Sequence, residues 1–158
     1  MATIENVKMG RNGTSIVYDQ HANISDLVGV GQRNERNDVM AVQALFKMIS
    51  LDGGVKIKLG LQESDFPEPT GEFNEKTIHL IRVFQLRMGN RLLNADGKIH
   101  PANYKNRFLG NAFSQGSRLM MITLLNIMAR DAQVTIGANS TLEAIQKFAP
   151  SIVITVIP

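Results

Sequence analysis

The stretch from Thr70 to Gln85, TGEFNEKTIHLIRVFQ, constrains the fold more than any other part of the chain. Gly71 favours a tight turn, because glycine adopts backbone conformations that other residues avoid. Apolar residues then recur at steps of three and four, which predicts an amphipathic helix with one buried face. Asn74 is expected to cap this helix and Gly89 to end it. The predicted inward residues are Ile78, Ile81, Phe84 and Met88.

A second amphipathic helix is predicted upstream of this stretch. It begins at Asn37 or Asp38, since either side chain can cap it, and it ends before Gly53. The residues predicted to face inward are Val39, Val42, Leu45, Phe46 and Ile49. Between the two helices, apolar residues alternate with lysines from Val55 to Leu59, VKIKL, and this alternation predicts a half-buried strand.

The C-terminal third of the chain predicts two more helices. The longer one runs from Arg118 to Asp131 and is apolar on nearly all sides. Its polar strip consists of Thr123, Asn126 and Arg130. The shorter one begins at Ser140, where Glu143 would complete a capping box, and it ends at Pro150. Residues 105–116, KNRFLGNAFSQG, predict either irregular structure or one helical turn.

Both ends of the chain predict strands. IENVKM and TSIVYD flank GRNG, and the pair Asn12 and Gly13 favours a hairpin turn. The residues IVITVI, from Ile152 to Ile157, are strongly β-forming. Because an unpaired apolar strand promotes aggregation, we expect it to join the hairpin in a small antiparallel sheet. The alternatives are that it pairs with a protein partner or forms a homo-oligomer.

The composition is that of an ordinary soluble globular protein. The chain has 158 residues, which suits a single domain, and it is 44% apolar and 20% charged. Its net charge of +3 suits anionic partners, but lysine and arginine are not clustered, so nucleic acid is not an expected partner. The longest apolar run is too short to span a bilayer. The N-terminus, MATIENVKMG, lacks the apolar core of a signal peptide. We therefore expect synthesis in the cytoplasm, with any export to the envelope or the outside following a leaderless route.

The sequence contains no recognisable catalytic or metal-binding pattern. Cysteine is absent, which excludes thiol catalysis and cysteine-ligated zinc. His21, His79 and His100 lack the spacing of metal-binding histidines, and no Gly-x-Ser-x-Gly motif is present. The sequence therefore predicts a protein that is not an enzyme and that uses no cofactor and no metal ion.

Three short elements follow one another along the chain. They are Asp38-Val39-x-x-Val42-Gln43, then Gly71-x-Phe73-x-x-x-Thr77-x-x-Leu80-Ile81-x-x-Phe84-Gln85, and then Asp96-Gly97-x-Ile99-x-Pro101. Together they resemble the signature of the peptidoglycan-binding-domain-like family, over roughly Asn37 to Asn126. Asn74 stands where that signature has a glycine.

The resemblance implies a fold. It is a mainly α (α+β) fold, a three-helix bundle of this family with the small antiparallel sheet added by the chain ends. The chain would be one domain, 1–158, made of an N-terminal hairpin and loop (1–36), a peptidoglycan-binding-like helical core (37–131) and a C-terminal helix and strand extension (132–158).

The resemblance also implies structural roles for the matched residues. These residues are Asp38, Val42, Gln43, Gly71, Phe73, Thr77, Phe84, Gly97 and Pro101. Gly71 would permit the turn, Phe73 would dock it onto the core, and the Thr77 hydroxyl would serve a free backbone amide. Gln43 and Gln85 would hydrogen-bond loop backbone.

The implied function is that of a non-catalytic module that binds bacterial cell-wall peptidoglycan. Its stem peptide or glycan would lie in a groove beside the helix of the opening stretch and the turn from Asp96 to Pro101. The candidate ligand-binding residues are Asn74, Arg82, Gln85, Asp96 and Lys98. One alternative is a structural or protein-interaction component of a secretion apparatus, a phage-like assembly or a leaderless effector. Another is a small wall-active enzyme whose site carries no known motif.

Overall fold

The computed structural model describes residues 1–12, 15–105, 109 and 116–158. The strands in this part of the chain are β1 (Ala2–Asn12), β2 (Ser15–Asn23), β3 (Val28–Gly29), β4 (Lys98–Ile99) and β5 (Ile154–Val156). The helices are α1 (Arg36–Ile49), α2 (Gly53–Leu59), α3 (Glu75–Met88), α4 (Met121–Thr135) and α5 (Thr141–Phe148). The expected three-helix bundle is therefore wrong. The fold is α+β, because two further helices and two sheets contribute to the same hydrophobic core.

The two ends of the chain share a three-stranded sheet in the order β2-β1-β5. β1 and β2 form the predicted hairpin, which is antiparallel from Thr3 opposite Asn23 to Asn12 opposite Ser15. Gly13, predicted to lie in its turn, is outside the described residues. The expected joining of β5 to the hairpin is confirmed, but the expected antiparallel direction is wrong. β5 runs parallel to β1, because the chain reaches it by a long crossover through the helices.

α1 is buried on nearly all sides, and all five residues predicted to face inward are fully buried. The prediction that Asn37 or Asp38 caps this helix is wrong, because the cap is Glu35. The longer Glu35 side chain accepts hydrogen bonds from the backbone amides of Asn37 at 3.2 Å and Asp38 at 3.0 Å. The Asp38 carboxylate is buried and instead accepts from the backbone amides of Ser25 and Asp26, each at 3.1 Å. It therefore fixes the loop that follows β2 onto α1.

The segment predicted as a strand, VKIKL, is part of α2, and this prediction is wrong. Local end signals outweigh the alternating pattern. The Asp52 carboxylate accepts from the amides of Gly54 at 3.0 Å and Val55 at 3.2 Å, which starts the helix. Gly60 ends it in a left-handed conformation with φ +68°. Ile57, which the strand would have buried, is 83% exposed.

α3 is the helix predicted from the opening stretch. Asn74 caps it as expected, because its side-chain oxygen accepts from the Thr77 amide at 3.0 Å. Of the residues predicted to face inward, those buried are Ile81, Phe84 and Met88. Ile78 is only half-buried, and Leu80 is fully buried in its place.

α4 and α5 cover the free edge of β2. The carboxamide of Asn126 pairs with both backbone groups of Ala22, at 2.7 Å to its N–H and 2.8 Å to its C=O. The Thr141 hydroxyl donates to the carbonyl of Gln20 at 2.7 Å. These polar side chains satisfy backbone groups that an edge strand would otherwise expose. Two residues of the predicted polar strip, Thr123 and Asn126, are therefore buried rather than solvated.

The boundaries of the last two helices differ from the prediction. α4 begins and ends later than the predicted range 118–131. Ser140 caps α5 by accepting from the Glu143 amide at 3.1 Å, whereas the Glu143 carboxylate accepts from the Asn139 amide at 3.0 Å. The reciprocal half of the capping box is thus shifted by one residue.

Two further expectations, on membrane spans and on residues 105–116, depend on which residues the structure describes. None of their helices is both long enough and apolar enough to cross a membrane. The prediction for residues 105–116 falls mostly on 106–108 and 110–115, which lie outside them.

Candidate functional site

Two glutamines hold two glycine turns in the same way. We call Gln43 with the turn 70–72 the first clasp, and Gln85 with the turn 96–98 the second clasp. In each, the glutamine Oε1 accepts from the glycine N–H, and its Nε2 donates to the carbonyl of the next residue. The distances are 2.9 and 2.8 Å in the first clasp and 2.7 and 2.9 Å in the second. The prediction that both glutamines hydrogen-bond loop backbone is confirmed.

The two turns also share their internal geometry. Gly71 has φ +84° and Gly97 has φ +82°, a left-handed conformation that favours glycine. Thr70 Oγ1 accepts from the backbone N–H two residues later at 3.2 Å, and Asp96 Oδ1 does the same at 3.1 Å. The clasps are therefore a structural repeat. Their main chemical difference is that the second turn begins with a carboxylate.

The first clasp is closed around Gly71, which is buried, whereas Thr70 and Glu72 on either side of it are exposed. Gln43 is fully buried, and its Nε2 also donates to the Thr77 hydroxyl at 3.0 Å. That hydroxyl donates to Asn74 at 2.7 Å, so its predicted role towards a backbone amide is wrong. The physical reason is that Asn74 already caps the Thr77 amide. A Cβ added to Gly71 would lie 2.6 Å from Cγ of Arg36, so only glycine fits there.

The other residues of the matched motif hold the core around the clasps. Val42 and Phe84 are fully buried, and half-buried Phe73 packs against the same core. Asp38 is buried within α1, and Pro101 is half-buried just beyond the second clasp.

The second clasp is fixed on one side by strand pairing and is accessible on the side of Gly97. Lys98, the last residue of the turn, belongs to β4. This strand pairs with β3, so that Lys98 lies opposite Gly29. A Cβ on Gly29 would lie 2.8 Å from Cγ of Lys98, so the two strands approach closely. By contrast, no atom of the described residues outside its immediate neighbours lies within 4 Å of a Cβ added to Gly97. The turn is therefore preformed while its outer side stays accessible.

A shallow depression of about 370 Å³ lies along this accessible side, and we call it the α3 groove. Its lining residues are Arg82, Gln85, Leu86, Ala95 and Gly97. Arg82 is exposed, and Leu86 is 79% exposed although it is apolar. The groove thus places a guanidinium beside an uncovered apolar side chain.

Asp96, between two lining residues of the groove, adds a negative charge. Its Oδ2 lies 2.8 Å from Nε2 of His100. Partial burial opposes ionisation, but the hydrogen bonds from His100 and from the Lys98 amide outweigh it and lower the pKa of Asp96 below its ordinary value of 3.8. The carboxylate is therefore ionised at neutral pH.

The structure brings four of the five candidate ligand-binding residues together. Arg82 and Gln85 line the groove, and Asp96 and Lys98 belong to the turn beside it. Asn74 is not among them. It lies eight residues before Arg82, about 12 Å along α3, and its side chain is engaged in capping.

Sequence reasoning missed three residues at this site, which are Leu86, Ala95 and His100. Leu86 lies off the buried stripe of α3, so its apolar side chain on the polar face was a usable signal. His100 follows Asp96 by four residues, but no helix there indicated that the two would meet. The position of Ala95 depends on how the turn docks on α3, which no local pattern reveals.

The arrangement brings opposite charges and an apolar side chain to one preformed turn. Within the described residues, no group of three or more potential ligand side chains is close enough to hold a metal ion. The groove combines a cation, an anion and an apolar contact on a turn whose backbone is already fixed, which limits the ordering cost of binding. Comparisons with protein-family models, with curated proteins and with solved structures found no match to this chain.

Proposed function

We propose that this protein is a non-catalytic module that binds bacterial peptidoglycan through the α3 groove. The observation that carries the proposal is the second clasp. It holds a glycine turn in place beside α3 but leaves the outer side of that turn accessible, next to Arg82 and Leu86.

The chemistry of the groove matches that of a stem peptide. Such peptides carry free carboxylates, alanine methyl groups and, in many walls, the ammonium group of a diamino acid. Arg82 offers a guanidinium for a carboxylate, and Leu86 and Ala95 offer apolar contacts. Asp96, which His100 orients, offers an acceptor for an ammonium.

Two properties of the sequence add support. The three motif elements that resemble the peptidoglycan-binding-domain-like family include both clasps, and the third element contains the groove turn. The net charge of +3 suits a ligand rich in carboxylates.

Retention on insoluble peptidoglycan sacculi tests the proposal. The wild-type protein should sediment with sacculi at low salt, and Arg82→Ala should weaken retention about tenfold or more, as expected for the loss of one charge-assisted hydrogen bond. Arg87→Ala is the matched control, because it removes the same charge from an exposed position of α3 that does not line the groove. The same incubation should release no soluble muropeptides.

Three results would contradict the proposal. Equal losses of retention for Arg82→Ala and Arg87→Ala would show that the α3 groove is not the binding site. A wild-type protein that stays in solution at every salt concentration would favour an interaction component instead. Released muropeptides would indicate an enzyme.

A further inference from the structure

A second polar cleft, of about 340 Å³, lies where the N-terminal hairpin meets α4 and α5. We call it the hairpin cleft. Side-chain carboxamides dominate its wall, and they belong to Asn6, Gln20, Gln133 and Asn139. A carboxamide offers both a donor and an acceptor, so this wall can match a ligand whose groups also do both. None of these residues belongs to the α3 groove.

Among the described residues that line the cleft, the charged groups belong to Asp19 and Arg130, and they neutralise each other. Asp19 Oδ2 lies 3.2 Å from Nη1 of Arg130. Asp19 is mostly buried, and burial raises the pKa of its carboxyl although Arg130 and the Gln20 amide act in the opposite direction. A site with a paired cation and anion gives an ionised ligand little advantage. The hairpin cleft therefore favours a neutral ligand.

One residue of the wall, Gln20, also has a side-chain acceptor without a donor. The side-chain oxygen of Gln20 is buried and accepts no hydrogen bond from the described residues. The next residue, His21, is buried, and its Nε2 lies 3.9 Å from Asp19 without a hydrogen-bond partner among those residues. Burial, with a smaller effect of Arg130, lowers the pKa of His21 to about 4, so this ring is neutral. The buried Gln20 oxygen is costly unless a donor reaches it, and a ligand in the cleft reaches it only if the Gln20 side chain rotates.

An aromatic ring stands at the margin of the cleft. Tyr18 lines it and is 53% exposed. A half-exposed tyrosine combines an apolar ring face with a polar hydroxyl. Sugar rings present C–H groups on their faces and hydroxyl groups on their edges, and each hydroxyl is both donor and acceptor.

We propose that the hairpin cleft binds a neutral saccharide, with Tyr18 against a sugar face and the carboxamides and Asp19 on its hydroxyls. This is a separate site from the α3 groove and does not depend on the function proposed for that groove. The cleft volume lies at the lower end of the range of small-ligand pockets, which suits one or two sugar rings.

An NMR titration of the full chain with chitotriose and, separately, with maltotriose tests the proposal. At least one of them, at millimolar concentration, should shift the backbone amides of Gln20 and residues 139–141. Tyr18→Ala should weaken this binding about tenfold or more, and its exposed position lets the variant fold, which a thermal melt checks. Arg82→Ala should leave saccharide binding unchanged.

The outcomes separate the two sites. Absence of shifts with both saccharides would overturn this proposal, as would binding that survives Tyr18→Ala or is lost with Arg82→Ala. A soluble stem peptide should show the opposite dependence, with loss in Arg82→Ala and none in Tyr18→Ala. Failure of the stem peptide alone would count against the α3 groove and not against the hairpin cleft.

Discussion

The two clasps use one hydrogen-bonding arrangement, but the surroundings of their glycines differ. In the first, Gln43 is fully buried, and a Cβ added to Gly71 would collide with the side chain and carbonyl of Arg36. In the second, Gln85 is 6% exposed, and no described residue outside its immediate neighbours would contact a Cβ on Gly97. The comparison teaches that the glutamine and glycine of the motif specify a turn and do not specify its use. Whether such a turn supports the core or presents a surface depends on what lies in front of it.

The largest expected difference between the clasps comes from adding one methyl group to each glycine. Gly71→Ala places a Cβ 2.6 Å from Cγ and 2.9 Å from the carbonyl oxygen of Arg36, in addition to the cost of a left-handed alanine. We expect a loss of about 2–4 kcal/mol in the free energy of unfolding. Gly97→Ala adds only the backbone cost, about 1–2 kcal/mol. Urea denaturation of both variants measures the difference.

Equal losses for the two alanine variants would mean that the first clasp yields without cost, and the distinction between a closed and an open clasp would fail. Phe73→Leu is a useful control for Gly71→Ala. It changes a half-buried contact near the same turn without altering the backbone, and it should cost less.

A smaller difference is expected when each glutamine is removed. Gln43→Ala leaves the buried Gly71 amide without its acceptor and removes the donor to the Glu72 carbonyl and to the Thr77 hydroxyl, which should cost about 2–3 kcal/mol. Gln85→Ala frees the amide of Gly97 and the carbonyl of Lys98 in a turn that water can reach, and about 1 kcal/mol is expected. Chemical denaturation gives both values, and a larger loss for Gln85→Ala would reverse our ranking of the clasps.

Sequence patterns predicted α1 and α3 well because each is long and has apolar residues recurring at helical spacing. They failed for VKIKL, where Asp52 and Gly60 decide the structure through backbone contacts that an alternation of residue types does not contain. They also gave the wrong direction for β5, since direction depends on the path of the whole chain. At the site, Gln85 and Asp96 were predictable from the motif. The exposed Leu86 and the approach of His100 to Asp96 depend on how the turn docks against α3.

The smallest predicted effect concerns charge, because only the second turn begins with a carboxylate. The pKa of Asp96 is lower in the folded state than in the unfolded state, where it is near 3.8. The ionised carboxylate therefore stabilises the folded protein at pH values above 3.8. That contribution is lost as the pH falls through the lower, folded pKa.

Asp96→Thr makes the second turn resemble the first and removes this contribution. The difference in free energy of unfolding between wild type and Asp96→Thr should therefore shrink as the pH drops below 3.8. Thr70→Ser, which introduces no charge at the start of the first turn, should differ from wild type by a constant amount over the same range. Urea denaturation at a series of acidic pH values measures both differences. If the difference between wild type and Asp96→Thr stays constant or widens towards low pH, the carboxylate does not distinguish the two clasps.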